Sequence, residues 1–380
     1  MSILFAPRPA ADAADPIRVM VVDDSVVVRG LIGRWLAQEP DLEVVASLHN
    51  GRQAVEEIER VNPDVVILDI EMPELDGLSA LPLLLAKKRD LTVIMASSIT
   101  RRHAEVSLRA LALGAMDYIP KPLSGNGIGI SPEFRRELID KIRAIGGRRK
   151  RRAPSVARVT RARVARHPEV DVVAAPPLLL RHQHTCTPRV LLIGASTGGP
   201  QALTTLIAQL RPVAERAPIL IVQHMPATFT TILAEHLTRA ADRPVREPAD
   251  GEPVVAGAIH LAPGGRHMLV ERRGGRPVIR LHDTAPVNFC KPALDPLFLS
   301  AIPVWQGALL AVILTGMGHD GTEGARAIAS AGGSVVVQDE ATSVVWGMPG
   351  SAVQAGVCSA VLPLDEIAPR IVRAFAGEQP

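Results

Sequence analysis

The sequence predicts an α/β protein built as two doubly wound parallel sheets in tandem, the second carrying a β-hairpin. Three observations predict it. Continuous Val/Ile/Leu runs bounded by turn residues recur along the chain, the pattern of strands buried on both faces. Helical patterns separate those runs, so the strands are joined by crossovers and pair in parallel. An arginine-rich stretch of different character divides the runs into two sets.

The first set predicts strands at RVMVVD (18–23), LEVVAS (42–47), DVVILD (64–69), LTVIMAS (91–97) and the short MDYIP (116–120), within a domain at 16–123. Residues 124–187 follow. A helix is expected from about Ser131 to Ile145, and the rest reads as a linker. GGRRKRRAPSVARVTRARVARHP has no acidic residue between Asp140 and Glu169, and blocks of like charge repel and stay solvated. The second domain is expected at 188–376. Its strands are RVLLIGAS, APILIVQHM, VVAGAIHLAP, ALLAVILTGM, GSVVVQD and CSAVLPL. HMLVERRGGRPVIRLH has two strand-like arms around Gly274-Gly275, which predicts a hairpin.

Composition bounds the function. The 380 residues are 47% hydrophobic and 21% charged, a globular profile, and length alone suggests roughly two to three domains. Aromatic residues are only 3%, which argues against a stacking platform for single-stranded nucleic acid. Net charge is +3, with much of the surplus in the linker. Cys186, Cys290 and Cys358 contain no C-x-x-C pair, so neither a zinc ribbon nor a disulfide framework is supported and a reducing compartment fits. No basic leader and no run of ~18 apolar residues is present. A cytoplasmic protein without membrane insertion is expected.

Asp23 and Asp24 close the first strand and Asp69 closes the third, on the carboxyl edge where such sheets bind ligands. Three carboxylates meeting there repel unless a cation sits among them, and hard oxygen ligands suit Mg²⁺. Ser97 closes the fourth strand and Lys121 follows the fifth, a hydroxyl and a compact positive charge. This set is equipment for moving a phosphoryl group onto Asp69. The bland alternative for Asp23-Asp24 is a helix N-cap. Residues 18–123 resemble a response-regulator receiver domain, on VVDDS, NPDVVILDIEMPELDG, MASS and DYIPKP. The resemblance implies a flavodoxin-like fold with Asp69 as phosphoacceptor and Asp23 and Asp24 holding Mg²⁺ with it. It further implies Ser97 and Lys121 on the phosphoryl group, Tyr118 as an aromatic switch and a cis Lys121-Pro122 bond.

In the second domain the first strand ends in GASTGGP (194–200). Gly-x-Ser-x-Gly is a nucleophile-elbow pattern, and the helix starting there points free N–H groups at Ser196. A phosphate-binding glycine turn is the alternative, weakened because neither a P-loop nor G-x-G-x-x-G is matched. His224 ends the next strand, and TGMGHDG follows a later one with Asp320 inside it. Strand-end residues share one edge, so Ser196, His224 and Asp320 can meet as nucleophile, base and orienter. His precedes Asp in the chain, which disfavours an ordinary α/β-hydrolase. His182, His184, His260, His267 and His319 compete poorly as the base.

IGASTGGP, QHMP, HLAPGG, TGMGHDG and QDEATSVVWGMPGSAV resemble the catalytic domain of the chemotaxis protein-glutamate methylesterases, the CheB family. That implies a Rossmann-like sheet and hydrolysis of glutamate γ-methyl esters on chemoreceptor cytoplasmic domains, releasing methanol, with glutamine deamidation as a second activity. It implies oxyanion donors near Thr197 and Met317, and no cofactor in the catalytic domain. It also implies a receiver that inhibits until a chemotaxis histidine kinase phosphorylates it. The Trp346–Met348 loop reads either as the site mouth or as packing. KPALD (291–295) departs from the family's Arg/Pro-Ser-Val-Asp pattern and puts the nearby surface in doubt. The basic linker reads as a spacer, a patch for acidic receptor helices or a nucleic-acid contact. The rival functions are a receiver-controlled esterase of a non-motility chemosensory system and a DNA-binding response regulator, whose helix-turn-helix is missing from the sequence.

Overall fold

The computed structural model describes residues 15–98, 100–121, 132–152 and 186–378. They form two compact units. The N-terminal elements are β1 (Ile17–Val22), α1 (Val26–Leu36), β2 (Leu42–Leu48), α2 (Gly51–Val61), β3 (Val65–Asp69), α3 (Gly77–Lys87), β4 (Thr92–Ser98), α4 (Arg101–Ala112), β5 (Asp117–Lys121) and α5 (Pro132–Arg152). The sheet runs β2-β1-β3-β4-β5, with the β1–β2, β1–β3 and β3–β4 pairs parallel. Every residue of β3 is buried, as a continuous apolar run demands of a central strand.

Side-chain caps set where the helices start. Ser25 Oγ accepts from Val28 N at the head of α1, Asn50 caps α2 and Asp76 caps α3. The cap that Asp23-Asp24 could have supplied to α1 is thus made by Ser25. Helix α5 runs to Arg152, seven residues past the expected Ile145. Arg and Lys are good helix formers, and cations near a helix C-terminus oppose its dipole. The remainder of the expected linker, including His182 and His184, lies outside the described residues, as does Pro122.

The C-terminal elements are β6 (Val190–Ala195), α6 (Gly199–Ile207), α7 (Arg211–Ala214), β7 (Ile219–Gln223), α8 (Ala227–Ala241), β8 (Val245–Arg246), β9 (Ile259–Leu261), β10 (His267–Arg273), β11 (Arg276–His282), α9 (Leu294–Trp305), β12 (Leu309–Ile313), α10 (Thr322–Ser330), β13 (Ser334–Gln338), α11 (Met348–Gln354), β14 (Ala360–Leu362) and α12 (Leu364–Ala376). Seven strands in the order β14-β13-β12-β6-β7-β9-β8 pair in parallel throughout. The hairpin forms as expected. β10 and β11 pair antiparallel around Gly274-Gly275, whose φ values of 58° and 78° suit a two-residue loop. Edge strand β8 was not expected, since two residues carry no alternation to read.

Strand order reverses beside β1 in the first sheet and beside β6 in the second. Loops diverge there, leaving a crevice at the carboxyl edge. Asp23 and Asp69 flank the first of these points; Ser196 and Asp320 flank the second.

Candidate active site

At the first crevice Asp23 and Asp69 face each other, because Val22 and Leu68 are register partners. Asp23, Asp24 and Asp69 each offer an oxygen within 4.8 Å of the others. Lys121 Nζ lies 2.5 Å from Asp23 Oδ2 and 2.7 Å from Asp69 Oδ1. Burial pushes the Asp69 carboxyl up to about 6, with the Asp23 charge adding to the rise and Lys121 opposing it. Asp69 Oδ1 also accepts from Ile70 N at 2.8 Å. Ser97 is buried one residue beyond Ala96, the register partner of Asp69. Tyr118 is buried too; Lys141 Nζ donates to its carbonyl at 2.7 Å and sits 5.3 Å from its ring centroid. A Cβ on Gly77 would fall 1.9 Å from the Asp69 carbonyl oxygen, so the glycine ending PELDG is required for α3 to approach the strand that bears Asp69.

At the second crevice Ser196 follows β6 and His224 follows β7. Ala195 and Gln223 are register partners, so the serine and histidine leave the sheet side by side. Ser196 N donates to Thr315 O at 3.0 Å and His224 N to Ala195 O at 3.1 Å. His224 Nε2 and Asp320 Oδ2 are 2.8 Å apart, the histidine side chain 9% exposed and the aspartate buried. His224 Nδ1 faces Cys290 Sγ at 3.3 Å. No hydrogen bond joins Ser196 Oγ to His224 among the described residues. The structure therefore brings His224 and Asp320 into contact and leaves Ser196 as their neighbour. A Cβ on Gly316 would stand 2.8 Å from Ser196 Cβ, so the turn bearing Met317 can close on the serine only with glycine there. The amides of Thr197 and Met317 have no acceptor among the described residues.

Asp320 accepts four bonds. Besides His224, Leu294 N reaches Oδ2 at 2.5 Å, while Asp295 N and Asn288 Nδ2 reach Oδ1 at 3.2 and 3.1 Å. Burial alone would raise its pKa, but His224 and these donors outweigh that and hold it at about 2. Burial likewise opposes the His224 cation, yet the bonds to Asp320 and Cys290 raise it to about 10. Each ring nitrogen thus has a partner, a carboxylate at Nε2 and a sulfur at Nδ1. Asn288 Nδ2 also bonds Asp295 Oδ2 at 3.0 Å, and burial with the nearby Asp320 charge raises the Asp295 carboxyl.

Cys290, Asn288, Leu294 and Asp295 were missed as site residues. The KPALD segment, expected to trouble only the surface, supplies two of the four donors to Asp320. No sequence signal marks them, since Asn288 and Cys290 lie in a loop without periodicity and the Leu294 and Asp295 contacts are made by backbone amides. Trp346–Met348 is clamped to the site strand: Gly316 N donates to Val345 O at 2.9 Å, and Gly347 N and Met348 N donate to Gly316 O at 3.0 and 2.9 Å. The loop is thereby fastened to the residue before Met317. Among the remaining histidines His319 is exposed, His260 is buried in β9, and His267 is tied to Ala285 O and Ala293 N.

Residues 191–371 match the CheB methylesterase family model, and residues 19–128 match the response regulator receiver domain model. A protein-glutamate methylesterase/protein-glutamine glutaminase of Rhodopseudomonas palustris is 58% identical to this chain, with the whole of both chains covered. Its counterpart in Bradyrhizobium diazoefficiens is 56% identical, again over the whole of both. The crystal structure of the Thermotoga maritima CheB methylesterase catalytic domain is 38% identical, covers 49% of this chain and 98% of that one, and has a TM-score of 0.48. Full-length relatives at this identity leave one conclusion: the chain belongs to the CheB methylesterase family, in the form that carries an N-terminal response regulator receiver domain.

Proposed function

We propose that this chain hydrolyses glutamate γ-methyl esters on chemoreceptor cytoplasmic domains, with receiver (16–123), linker (124–187) and catalytic (188–376) segments. The observation that carries the reading is the buried His224–Asp320 contact beside Ser196 at the sheet's switch point. Ser196 Oγ attacks the ester carbonyl while His224 takes its proton. The Thr197 and Met317 amides receive the oxyanion. Collapse expels methanol, protonated by His224, and water repeats the sequence to free the carboxylate and Ser196. Glutamine deamidation follows the same route, with ammonia leaving.

Asp320 occupies Nε2, so Nδ1 is the nitrogen left to serve Ser196, and Cys290 must yield it. Removing the sulfur removes one support of the imidazolium. The acid limb of kcat/KM for Cys290→Ala is therefore expected to move to lower pH by about one unit, as fits loss of a bond to a charged group. A pH-rate profile on methylated receptor fragment checks this, and an unmoved limb contradicts it.

Phosphorylation of Asp69 by a chemotaxis histidine kinase is the proposed activating event, with Ser97 and Lys121 contacting the new phosphoryl group and Tyr118 responding. Asp23, Asp24 and Asp69 fit Mg²⁺, being three converging carboxylates of which two are buried. When bound, the ion supplies positive charge against the carboxylates and the incoming phosphoryl oxygens. Mg²⁺ at about ten times its Kd is expected to stabilise the receiver by ~1.4 kcal/mol, read as a rise in Tm. Asp23→Asn should abolish that rise, and its persistence contradicts the assignment. No helix among the described residues is long and apolar enough to cross a membrane. The reading sets the enzyme in the cytoplasm, where the receptor domains lie.

A further inference from the structure

The turn at Asn288–Phe289 breaks two ordinary preferences at one residue. Val287 and Cys290 form an antiparallel bridge with N–H···O bonds of 3.1 and 2.8 Å, so Asn288 and Phe289 make a two-residue hairpin loop. Both are left-handed, at φ 51° and 64°. Such loops favour Asn followed by Gly. Asn288 conforms; a bulky L residue at the second position is an outlier. Phe289 is also 84% exposed, the highest value among the exposed large hydrophobics of the described residues.

Its neighbours locate it. The Asn288 side chain bonds Asp320 and Asp295, and the Cys290 sulfur faces His224. The turn is fastened into the catalytic groups on both flanks and carries a phenyl ring at the rim of the site. Strained residues held this firmly cluster where binding needs a preorganised group.

We propose that Phe289 is a specificity-determining residue that contacts the polypeptide flanking the esterified glutamate while that side chain reaches Ser196. This rests on the ester-hydrolase reading above. A side-chain ester on a folded protein enters the crevice while its own backbone stays outside, so the rim meets the neighbouring residues. The ester is uncharged, and an aromatic ring suits a surface whose charge has been masked. Exposed aromatics that become buried at an interface carry a large share of its affinity.

The test compares full-length wild type, Phe289→Gly, Phe289→Asn and Phe289→Tyr. Each is assayed on a methylated receptor cytoplasmic fragment, on a small glutamate γ-methyl ester lacking flanking polypeptide, and for Tm. Gly and Asn are expected to raise KM for the fragment about tenfold, with kcat/KM for the small ester unchanged. Their Tm holds or rises, because both residues accept left-handed φ. Tyr stays near wild type. An unchanged KM in the Gly variant overturns the inference. So does an equal loss on the small ester, a Tm fall in both variants (a packing role), or faster basal turnover without phosphodonor (a contact with the receiver). If wild type releases no methanol, the underlying reading falls and this inference with it; release by wild type with unchanged variant KM overturns this inference alone.

Discussion

Ser196→Ala is expected to lower methanol release from methylated receptor domains by about four to six orders of magnitude with no loss of Tm. The two readouts separate because of where the side chain sits. The Ser196 backbone is fixed by Thr315 O and Gln223 Nε2, the latter donating to Ser196 O at 2.9 Å. Among the described residues its Oγ makes no hydrogen bond to that scaffold, and the residue is only partly buried. On the proposed mechanism, deleting the hydroxyl removes the attacking atom and little else. Residual turnover reflects only the Thr197 and Met317 amides acting on the carbonyl.

Asp320→Ala should damage both activity and stability. Catalysis is expected to fall about 10⁴-fold, as the imidazole loses the partner that orients it and stabilises its charged form. Stability should fall by about 3–5 kcal/mol, because truncating one member of a buried pair strands the other. Here the amides of Leu294 and Asp295 and the Asn288 side chain are stranded as well. The pH dependence carries a sign. Asp320 is depressed to about 2, so its contribution is present above the unfolded value of 3.8 and is lost as pH falls through 2. His224 is raised to about 10, so its contribution is full below the unfolded value of 6.5 and is lost as pH rises through 10. The stability gap between wild type and Asp320→Ala is therefore widest between about pH 4 and pH 6.5 and narrows on both sides. Denaturant unfolding of the catalytic unit across that range measures it, and a pH-independent gap contradicts the pairing.

Both sites were legible to the extent that they lie on strand ends. A parallel strand buried on both faces writes itself as an unbroken apolar run, and the first polar residue after it lands on the carboxyl edge. Asp23, Asp69, Ser196 and His224 were placed on those edges this way, and Asp320 by the glycine-rich turn after β12. What packs around those residues was not legible. Cys290 meets His224 across 66 positions and Asn288 meets Asp320 across 32, from a loop with no periodicity. Nothing in KPALD reveals that its backbone amides turn inward, because amide direction follows from how α9 docks, not from side-chain identity. The length of α5 was underestimated for a different reason. A run of Arg and Lys reads as a solvated tether, although each residue individually favours helix.

The contact of His224 Nδ1 with Cys290 sharpens the question of which atom attacks the ester, since a thiol beside an imidazole is also a nucleophile. Acid-quenching full-length enzyme during turnover of a small glutamate γ-methyl ester, then mapping the covalent acyl adduct by peptide mass spectrometry, answers it directly. A glutamyl adduct is expected on the peptide containing Ser196, absent from Ser196→Ala and retained in Cys290→Ala. An adduct on Cys290, or its persistence in Ser196→Ala, contradicts Ser196 as the nucleophile.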